Sequence, residues 1–322
     1  MSLQSCLMEE PETQQPNPAP RRPRGPRPEP APVRRRPSWP WRIARIFVLV
    51  YVGLAGVLFS LQSDLIFPGA KRQGQPDTVV KPRPDEELVT LTTAKGDKVI
   101  ALFAPALSLR GEELPDATIR PTILYFYGNA MCLSDAVDQL EHFRKLGFNV
   151  MIPDYVGYGM SGGKASEAGC QATADAALAH LRTRKDIDPR KIVAAGWSLG
   201  GAVAIDLASR EKVAGLISFC TFTSMGDMSR KNFPFLPASL LLRHRFDSLS
   251  KMSKVSCPVL IGHGARDTLI PHAMAEKLAE AAHTPVMKFT VDAAGHNDFF
   301  AVGGSQVLLA MKTYIEQLMP SE

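Results

Sequence analysis

The sequence predicts an α/β fold, a mostly parallel β-sheet with helices on both faces, preceded by one transmembrane helix. Beyond residue 85, short apolar runs alternate with helical patterns, which is typical of parallel strands joined by helices. Closer to the N-terminus, the stretch Ile46–Leu61 carries no charged residue. The two observations together predict a folded domain that follows a membrane anchor.

Eight strands and five helices are predicted in the folded domain. Leu88–Thr92 and Val99–Ala104 form an opening pair of strands. The other strands are short apolar runs suited to burial on both faces, predicted at Thr122–Tyr127, Val150–Pro153, Ile192–Gly196, Leu216–Cys220, Val259–His263 and Met287–Val291. Helical periodicity lies between them at about Ser134–Lys145, Ala168–Arg184, Gly201–Ser209, His272–Ala282 and Ser305–Leu318.

Residues 1–42 are predicted to be a disordered tail. Residues 11–40 contain eleven prolines among arginines and few apolar side chains, so they cannot bury enough surface to offset the entropy cost of ordering. Nine arginines and four glutamates lie within residues 1–45, which accounts for the whole net charge of +5. The rest of the chain is neutral, and the folded part is not expected to bind nucleic acid.

Residues 43–65 are predicted to be a transmembrane signal anchor. About 19–20 apolar residues, at a rise of 1.5 Å each, span a hydrocarbon core of roughly 30 Å. A cleaved signal peptide is the alternative, but its basic region would be far shorter than this one. Because arginines precede the span, the N-terminus is expected to be cytoplasmic and the folded domain periplasmic or lumenal. Lysines and arginines at 71, 72, 81 and 83 weaken this bias.

The sharpest chemical signal is the sequence Gly196-Trp197-Ser198-Leu199-Gly200, which stands between a predicted strand and a predicted helix. A serine in such a turn projects its hydroxyl above the edge of the sheet, and the flanking glycines provide the space that the turn needs. The pattern predicts that Ser198 is a nucleophile. The alternative is a glycine-rich connection with no chemical role.

Two further residues complete a candidate triad with Ser198. Asp267 follows the predicted strand Val259–His263, and His296 follows the next strand. A serine hydroxyl needs an imidazole to take its proton, and the imidazole needs a carboxylate to orient it. We therefore expect His296 to be the base and Asp267 the orienting acid. Asp154 and Asp298 are weaker candidates for the acid, and His263 is expected to be structural.

The backbone N–H groups of two residues are predicted to form an oxyanion hole. Leu199 directly follows the serine, at the N-terminus of a helix, where the partial charge is positive. The second donor is expected in the loop Gly128-Asn129-Ala130 after a buried strand. Asn129 or Ala130 could supply it, and Asn129 is favoured.

These motifs resemble the α/β-hydrolase superfamily, in particular a membrane-anchored branch with serine aminopeptidase-like and protein-depalmitoylating hydrolases. The matching segments span roughly residues 88–318 and comprise YGNA (127–130), DYVGYGMSG (154–162), the serine turn, FTSM (222–225), CPVLI (257–261) with Asp267, and GHN (295–297). The resemblance implies an α/β-hydrolase fold over 66–322, hydrolysis of an acyl bond and the three roles above. Tyr127 departs from the histidine that family members usually carry there.

In this family, residues 223–255 are in the position of a small cap over the active site. The segment mixes methionine, phenylalanine and leucine with arginine and lysine. One interpretation is an apolar acyl pocket, including Phe235 and Leu240–Leu242, with a basic rim near lipid head groups. The other is that these apolar residues only pack the cap onto the sheet.

The sequence thus predicts a membrane-anchored serine hydrolase that cleaves an acyl ester or thioester of a small-molecule or lipid-like substrate through an acyl-serine. No metal or organic cofactor is expected, since the five cysteines are scattered without ligand spacing. An aminopeptidase-like amide hydrolase ranks second, because Asp227 and Asp247 are isolated in the cap. A catalytically silent, membrane-tethered binding module and a partner-recruiting tail stay open. The oligomeric state is not predicted.

Overall fold

The first helix is the candidate for the membrane span. The computed structural model describes Gly25, residues 38–234 and residues 241–319, and in it helix α1 covers Trp39–Ile66. Its most apolar window has a mean hydropathy of 2.2, so α1 is long and apolar enough to cross a membrane. The predicted tail lies outside the described residues, apart from Gly25 and its last five residues.

The chain divides into two compact units, Met1–Val50 and Tyr51–Glu322. The boundary falls inside α1, so the part of α1 from Tyr51 onward belongs to the same unit as the sheet. The predicted start of the folded domain at residue 66 coincides with the last residue of α1. Near that end, Phe59, Gln62 and Ser63 make hydrogen bonds with the cap.

Eight strands form one sheet in the order β1-β2-β4-β3-β5-β6-β7-β8. The strands are β1 Glu87–Thr92, β2 Lys98–Ala104, β3 Thr122–Phe126, β4 Asn149–Pro153, β5 Ile192–Trp197, β6 Gly215–Phe219, β7 Val259–Gly264 and β8 Val286–Val291. Strand β2 is antiparallel to β1 and β4, and the other neighbours are parallel. The predicted mostly parallel sheet is therefore confirmed.

The central strands are buried on both faces of the sheet. Every residue of β3, β4, β6 and β7 is buried, although successive side chains of a strand point to opposite faces. Helices and loops must therefore cover both faces of the sheet. This two-sided burial explains why apolar residues in these strands are continuous and do not alternate with polar ones.

Seven helices follow α1 in the described part of the chain. They are α2 Val137–Lys145, α3 Glu167–Thr183, α4 Leu199–Arg210, α5 Met225–Asn232, α6 Ser248–Met252, α7 His272–Ala281 and α8 Phe299–Leu318. Helix α4 packs on β3, β5 and β6, and α8 packs on β6, β7 and β8. Helices α5 and α6 belong to the predicted cap, of which residues 235–240, with Phe235 and Leu240, lie outside the described residues.

Helix α8 begins six residues before the predicted start at Ser305. Gly303 and Gly304 lie inside it, and glycine is unfavourable in a helix interior. A Cβ at Gly303 would approach the side chain of Val291 closely. The close packing of α8 on β8 therefore explains why the helix tolerates a residue that weakened its signal in the sequence.

Candidate active site

Ser198 occupies a sharp turn between β5 and α4. Its backbone is at φ 57° and ψ −119°, a conformation that costs a non-glycine residue free energy and persists only when its surroundings impose it. The constraint comes from close packing, because a Cβ on Gly196 would overlap the backbone of Gly200, and one on Gly200 would overlap that of Phe126. The glycines singled out in the sequence are thus needed for the turn.

The structure brings Ser198, His296 and Asp267 together. The Oγ of Ser198 lies 3.0 Å from Nε2 of His296, and Nδ1 of His296 lies 2.7 Å from Oδ2 of Asp267. Each of the three residues is only 7% exposed. Since a carboxylate only accepts hydrogen bonds, Nδ1 carries the proton and Nε2 is left to accept the hydroxyl hydrogen of Ser198.

The carboxylate of Asp267 is held in its ionised form. Burial by itself raises the pKa of Asp267, but hydrogen bonds from His263 and His296 and from the backbone N–H of Ile270 outweigh it and place the pKa below its usual range. The Ile270 N–H donates to Oδ1 at 2.7 Å. An ionised Asp267 can orient the His296 ring and stabilise a positive charge on it.

His263 is at the end of β7, as a structural residue would be, but it also contacts the triad. Its Nε2 lies 2.9 Å from the carbonyl oxygen of Ile270 and 3.3 Å from Oδ2 of Asp267. Both of these atoms are acceptors, so Nε2 carries the proton. Its buried Nδ1 has no hydrogen-bond partner among the described residues. This contact with Asp267 was missed by the sequence analysis, although the spacing of four residues was a possible signal.

The two predicted oxyanion donors border the same cavity as Ser198. Leu199 is the first residue of α4, where a backbone N–H has no partner within the helix. The carbonyl oxygen of Asn129 accepts from the N–H of Gly69 at 3.0 Å and from the hydroxyl of Tyr158 at 3.0 Å. These two bonds hold the peptide between Asn129 and Ala130. The peptide that carries the N–H of Asn129 is held by the N–H of Met131, which donates to the carbonyl oxygen of Gly128 at 3.2 Å.

Tyr127 replaces the histidine expected from the resemblance, and its side chain points into the core. The hydroxyl donates to Oδ1 of Asp154 at 2.7 Å, and the carbonyl oxygen of Tyr127 accepts from the hydroxyl of Tyr155 at 2.8 Å. Asp154 also accepts from the N–H groups of Leu133 and Met160. The DYVGYG segment is therefore a buried scaffold that holds the Asn129 loop, and Asp154 is not near the imidazole as a triad acid would be.

Asp298, the other weak candidate for the acid, accepts the N–H of Gly295 at 2.7 Å. It stabilises the turn that carries His296. Cys220 lies behind the triad, and its sulfur, a carboxylate oxygen of Asp267 and a ring nitrogen of His296 lie within 4.8 Å of one another. Burial raises the pKa of Cys220 to about 12, so its thiol is protonated at neutral pH.

A cavity of about 250 Å³ opens at Ser198. Its wall comes from the C-terminal half of α1, the loop of Asn129, the serine turn, the cap and the loop after β7. Most lining residues are apolar, and none of the described ones is charged; they are Ala55, Leu58, Phe59, Gln62, Leu65, Ile66, Asn129, Ser198, Leu199, Phe222, Met225, Met228, Ser229, Asn232, Phe233, Leu241, Leu242, Leu269 and Ile270. No local pattern in the sequence indicates that α1 lines this cavity.

The sheet, the strained serine turn and the loops after β7 and β8 define the class of the protein, an α/β-hydrolase fold. Among solved structures, the Pyrococcus furiosus esterase Pf2001 has the same fold, with a TM-score of 0.61 at 18% identity over 75% of this chain and 95% of the esterase. The expectation of an α/β-hydrolase fold is thereby confirmed.

Sequence comparison gives the family. The model of the dienelactone hydrolase family matches residues 125–301. An uncharacterized protein of Mycobacterium tuberculosis is 31% identical over 276 residues, which is 85% of this chain and 94% of that protein. Alpha/beta hydrolase domain-containing protein 17B of Xenopus laevis is 33% identical over 230 residues, 70% of this chain and 73% of its own. This chain belongs to the dienelactone hydrolase family and is a hydrolase of the α/β type.

Proposed function

We propose that the protein is a membrane-anchored serine hydrolase that cleaves an acyl ester or thioester through an acyl-serine intermediate. The observation that carries the proposal is the hydrogen-bonded series Ser198–His296–Asp267, which opens at the serine into an apolar cavity. In this proposal Ser198 is the nucleophile, His296 the general base and Asp267 the orienting acid. Leu199 and Asn129 supply the oxyanion hole.

Acylation begins when Oγ of Ser198 attacks the carbonyl carbon of the substrate. Nε2 of His296, 3.0 Å away, takes the hydroxyl proton as the new C–O bond forms. The negative charge that develops on the carbonyl oxygen is stabilised by the N–H groups of Leu199 and Asn129. His296 then gives its proton to the leaving alcohol or thiol, and the bond to the leaving group breaks.

Deacylation repeats these steps with water as the nucleophile. His296 takes a proton from the water, whose oxygen attacks the acyl carbon, and it then returns the proton to Oγ of Ser198 as the carboxylic acid departs. Asp267 stays ionised throughout and stabilises the imidazolium. Its pKa, which is held below the usual range, suits this role.

The chemistry of the cavity favours an acyl chain over a peptide. An aminopeptidase-like hydrolase needs an anionic group to bind the substrate amine, whereas the described lining residues are apolar or uncharged. Asp227 is engaged by Thr223, Ser224 and Arg230 within the cap. A silent binding module would not need a proton acceptor next to a strained serine. We therefore rank both alternatives below ester or thioester hydrolysis.

The proposal includes a single-pass anchor at residues 43–65 with a cytoplasmic N-terminus. Its support is the length and composition of α1 together with the arginines that precede it. The catalytic domain would then face the periplasm or a lumen. A membrane-spanning α1 would keep the enzyme beside acyl substrates that are poorly soluble in water.

Labelling by a fluorophosphonate tests the acyl-serine chemistry and the proposed orientation in the membrane. We expect a fluorescent fluorophosphonate to label the purified full chain, because an activated serine attacks phosphorus as it attacks a carbonyl carbon. Ser198→Ala should abolish the label. Ser229→Ala is the matched control, since Ser229 lines the same cavity and its hydroxyl only donates to Gly226, and it should be labelled like the wild type.

No labelling of the folded wild type would refute an activated serine and favour the binding module. A charged, membrane-impermeant fluorophosphonate applied to sealed vesicles of known orientation reports the side of the catalytic domain. We expect labelling only from the side opposite the N-terminus. Labelling only from the side of the N-terminus would contradict the proposed orientation and leave the acyl-serine chemistry intact.

A further inference from the structure

We propose that the anchor helix is part of the substrate site, and that the substrate is a membrane-resident lipid or lipid-modified molecule whose acyl chain enters sideways from the bilayer along α1. This inference rests on the acyl-serine chemistry proposed above and adds the substrate class and the route of entry. Its basis is that α1, the helix composed to lie in a membrane, forms a wall of the cavity that opens at Ser198.

The residues of α1 that line the cavity lie on one face of the helix. Ala55, Leu58, Phe59 and Gln62 are spaced by three and four positions, and Ile66 follows one turn later. This spacing brings side chains to one side of an α-helix. From the first to the last of these residues the helix rises by about 16 Å. The wall is therefore long enough to accompany an extended acyl chain from the serine toward the interior of a bilayer.

The cap holds this face of α1 in place through polar contacts near the end of the helix. The backbone N–H of Arg243 donates to Oε1 of Gln62 at 2.7 Å, and the guanidinium donates to the carbonyl oxygen of Phe59 at 2.8 Å. Oγ of Ser63 lies 3.1 Å from Nε2 of His244. Gln62 is buried although it stands in an apolar helix. These contacts make the helix a fixed wall of the cavity.

The position of Arg243 indicates how deep the cavity lies. Its guanidinium lies 4.4 Å above the ring of Phe59, and an exposed arginine is costly in hydrocarbon and favourable beside anionic head groups. The head-group level of the bilayer is therefore near Phe59. Ala55 is one turn farther back along the helix, about 6 Å deeper, within the uncharged stretch Ile46–Leu61. The far end of the cavity thus meets the acyl-chain region.

A chain-length series on anchor variants tests this inference. The full chain is placed in phosphatidylcholine vesicles, and kcat/KM is measured for nitrophenyl palmitate in the same vesicles and for nitrophenyl acetate. Ala55→Phe should lower the palmitate-to-acetate ratio by about tenfold or more, since small changes of volume in an apolar pocket discriminate at this level. A ratio measured on one preparation does not depend on the fraction of protein that folds.

The matched control is Val57→Phe, which also introduces a phenylalanine on the same helix, at an exposed residue that does not line the cavity. Its ratio should equal that of the wild type. As a second variant, Leu58→Ala enlarges the cavity and should shift the preference toward longer chains. Unchanged ratios in Ala55→Phe and Leu58→Ala, or an equal fall in Val57→Phe, would overturn this inference while hydrolysis of acetate still supported the acyl-serine. A wild type that cleaves neither ester would instead refute the proposed function.

Discussion

Two buried clusters of charged side chains lie at different places in the domain, one around Arg144 at the end of α2 and one around Asp267 after β7. Arg144 is completely buried. Its Nε donates to the carbonyl oxygen of Pro105 at 2.8 Å, its Nη1 donates to Glu141 at 2.9 Å, and its Nη2 donates to Asp85. All three nitrogens of the guanidinium are thus engaged, and the hydrogen bond from Arg144 lowers the pKa of Asp85.

The cluster around Asp267 is arranged differently, because its series of hydrogen bonds ends at a group that faces a cavity. Asp267 accepts from His296, and His296 accepts from Ser198, which lines the cavity. The guanidinium of Arg144 is engaged on every side, whereas under the proposed function the Asp267 cluster passes a proton to an incoming molecule. Burial of charged groups alone therefore does not identify a candidate site. A buried hydrogen-bond network that ends at a cavity does.

The largest expected effect is on the rate after Asp267→Asn. The amide would donate to the ring of His296 and favour the wrong tautomer, so kcat on a short ester should fall by about 10⁴-fold. Asp298→Asn is the matched control, because the amide oxygen can still accept the N–H of Gly295, and its kcat should stay near the wild-type value. Equal losses in the two variants would mean that Asp267 has no special role.

The next expected effect is a loss of stability without a change in the reactivity of Ser198. Arg144→Met removes the donor to Asp85 and to the carbonyl oxygen of Pro105, while Glu141 keeps its ion pair with Arg83. The free energy of unfolding should therefore fall by about 3 kcal/mol. Arg190→Met removes an exposed ion pair with Asp188 and should leave the free energy of unfolding nearly unchanged. Urea unfolding in detergent measures both. The fluorophosphonate labelling rate per folded molecule should be unchanged in Arg144→Met, and a large loss there would contradict the separation of the two clusters.

The smallest effect is expected from Tyr127→Phe, which removes one hydrogen bond to the buried Asp154. We expect a loss of about 1–3 kcal/mol of stability, and a lower kcat because the Asn129 loop is held less firmly. Tyr314→Phe removes the hydroxyl that bridges Leu216 and Pro258 and is the control, with a similar loss of stability and the wild-type kcat. If kcat is unchanged in both variants, the scaffold does not position the loop.

Much of the fold was predictable because its signals are local. The strand bounds agree with the structure to within one residue, since buried parallel strands are short apolar runs that the sequence displays directly. The elbow around Ser198 was predictable for a similar reason, because its geometry demands glycine at fixed positions. Whether Asp267 and His296 act as predicted is a matter for the rate measurements.

What the sequence did not reveal depends on contacts between distant segments. The bond from Tyr127 to Asp154 joins residues 27 positions apart. No local pattern shows that a tyrosine at position 127, where the family usually has histidine, can hydrogen-bond this aspartate. The placement of Gln62 against Arg243 joins residues 181 positions apart. A lone glutamine at the end of an apolar helix is uninformative until the cap is seen beside it.

The bond between Asn129 and the end of α1 has a practical consequence. The side-chain amide of Asn129 donates to the carbonyl oxygen of Ile66 at 3.0 Å, and the N–H of Gly69 donates back to Asn129. A chain shortened to begin after the helix would lose one side of the cavity and a contact of the Asn129 loop. The proposed activity should therefore be measured on protein that keeps the helix, purified in lipid or detergent.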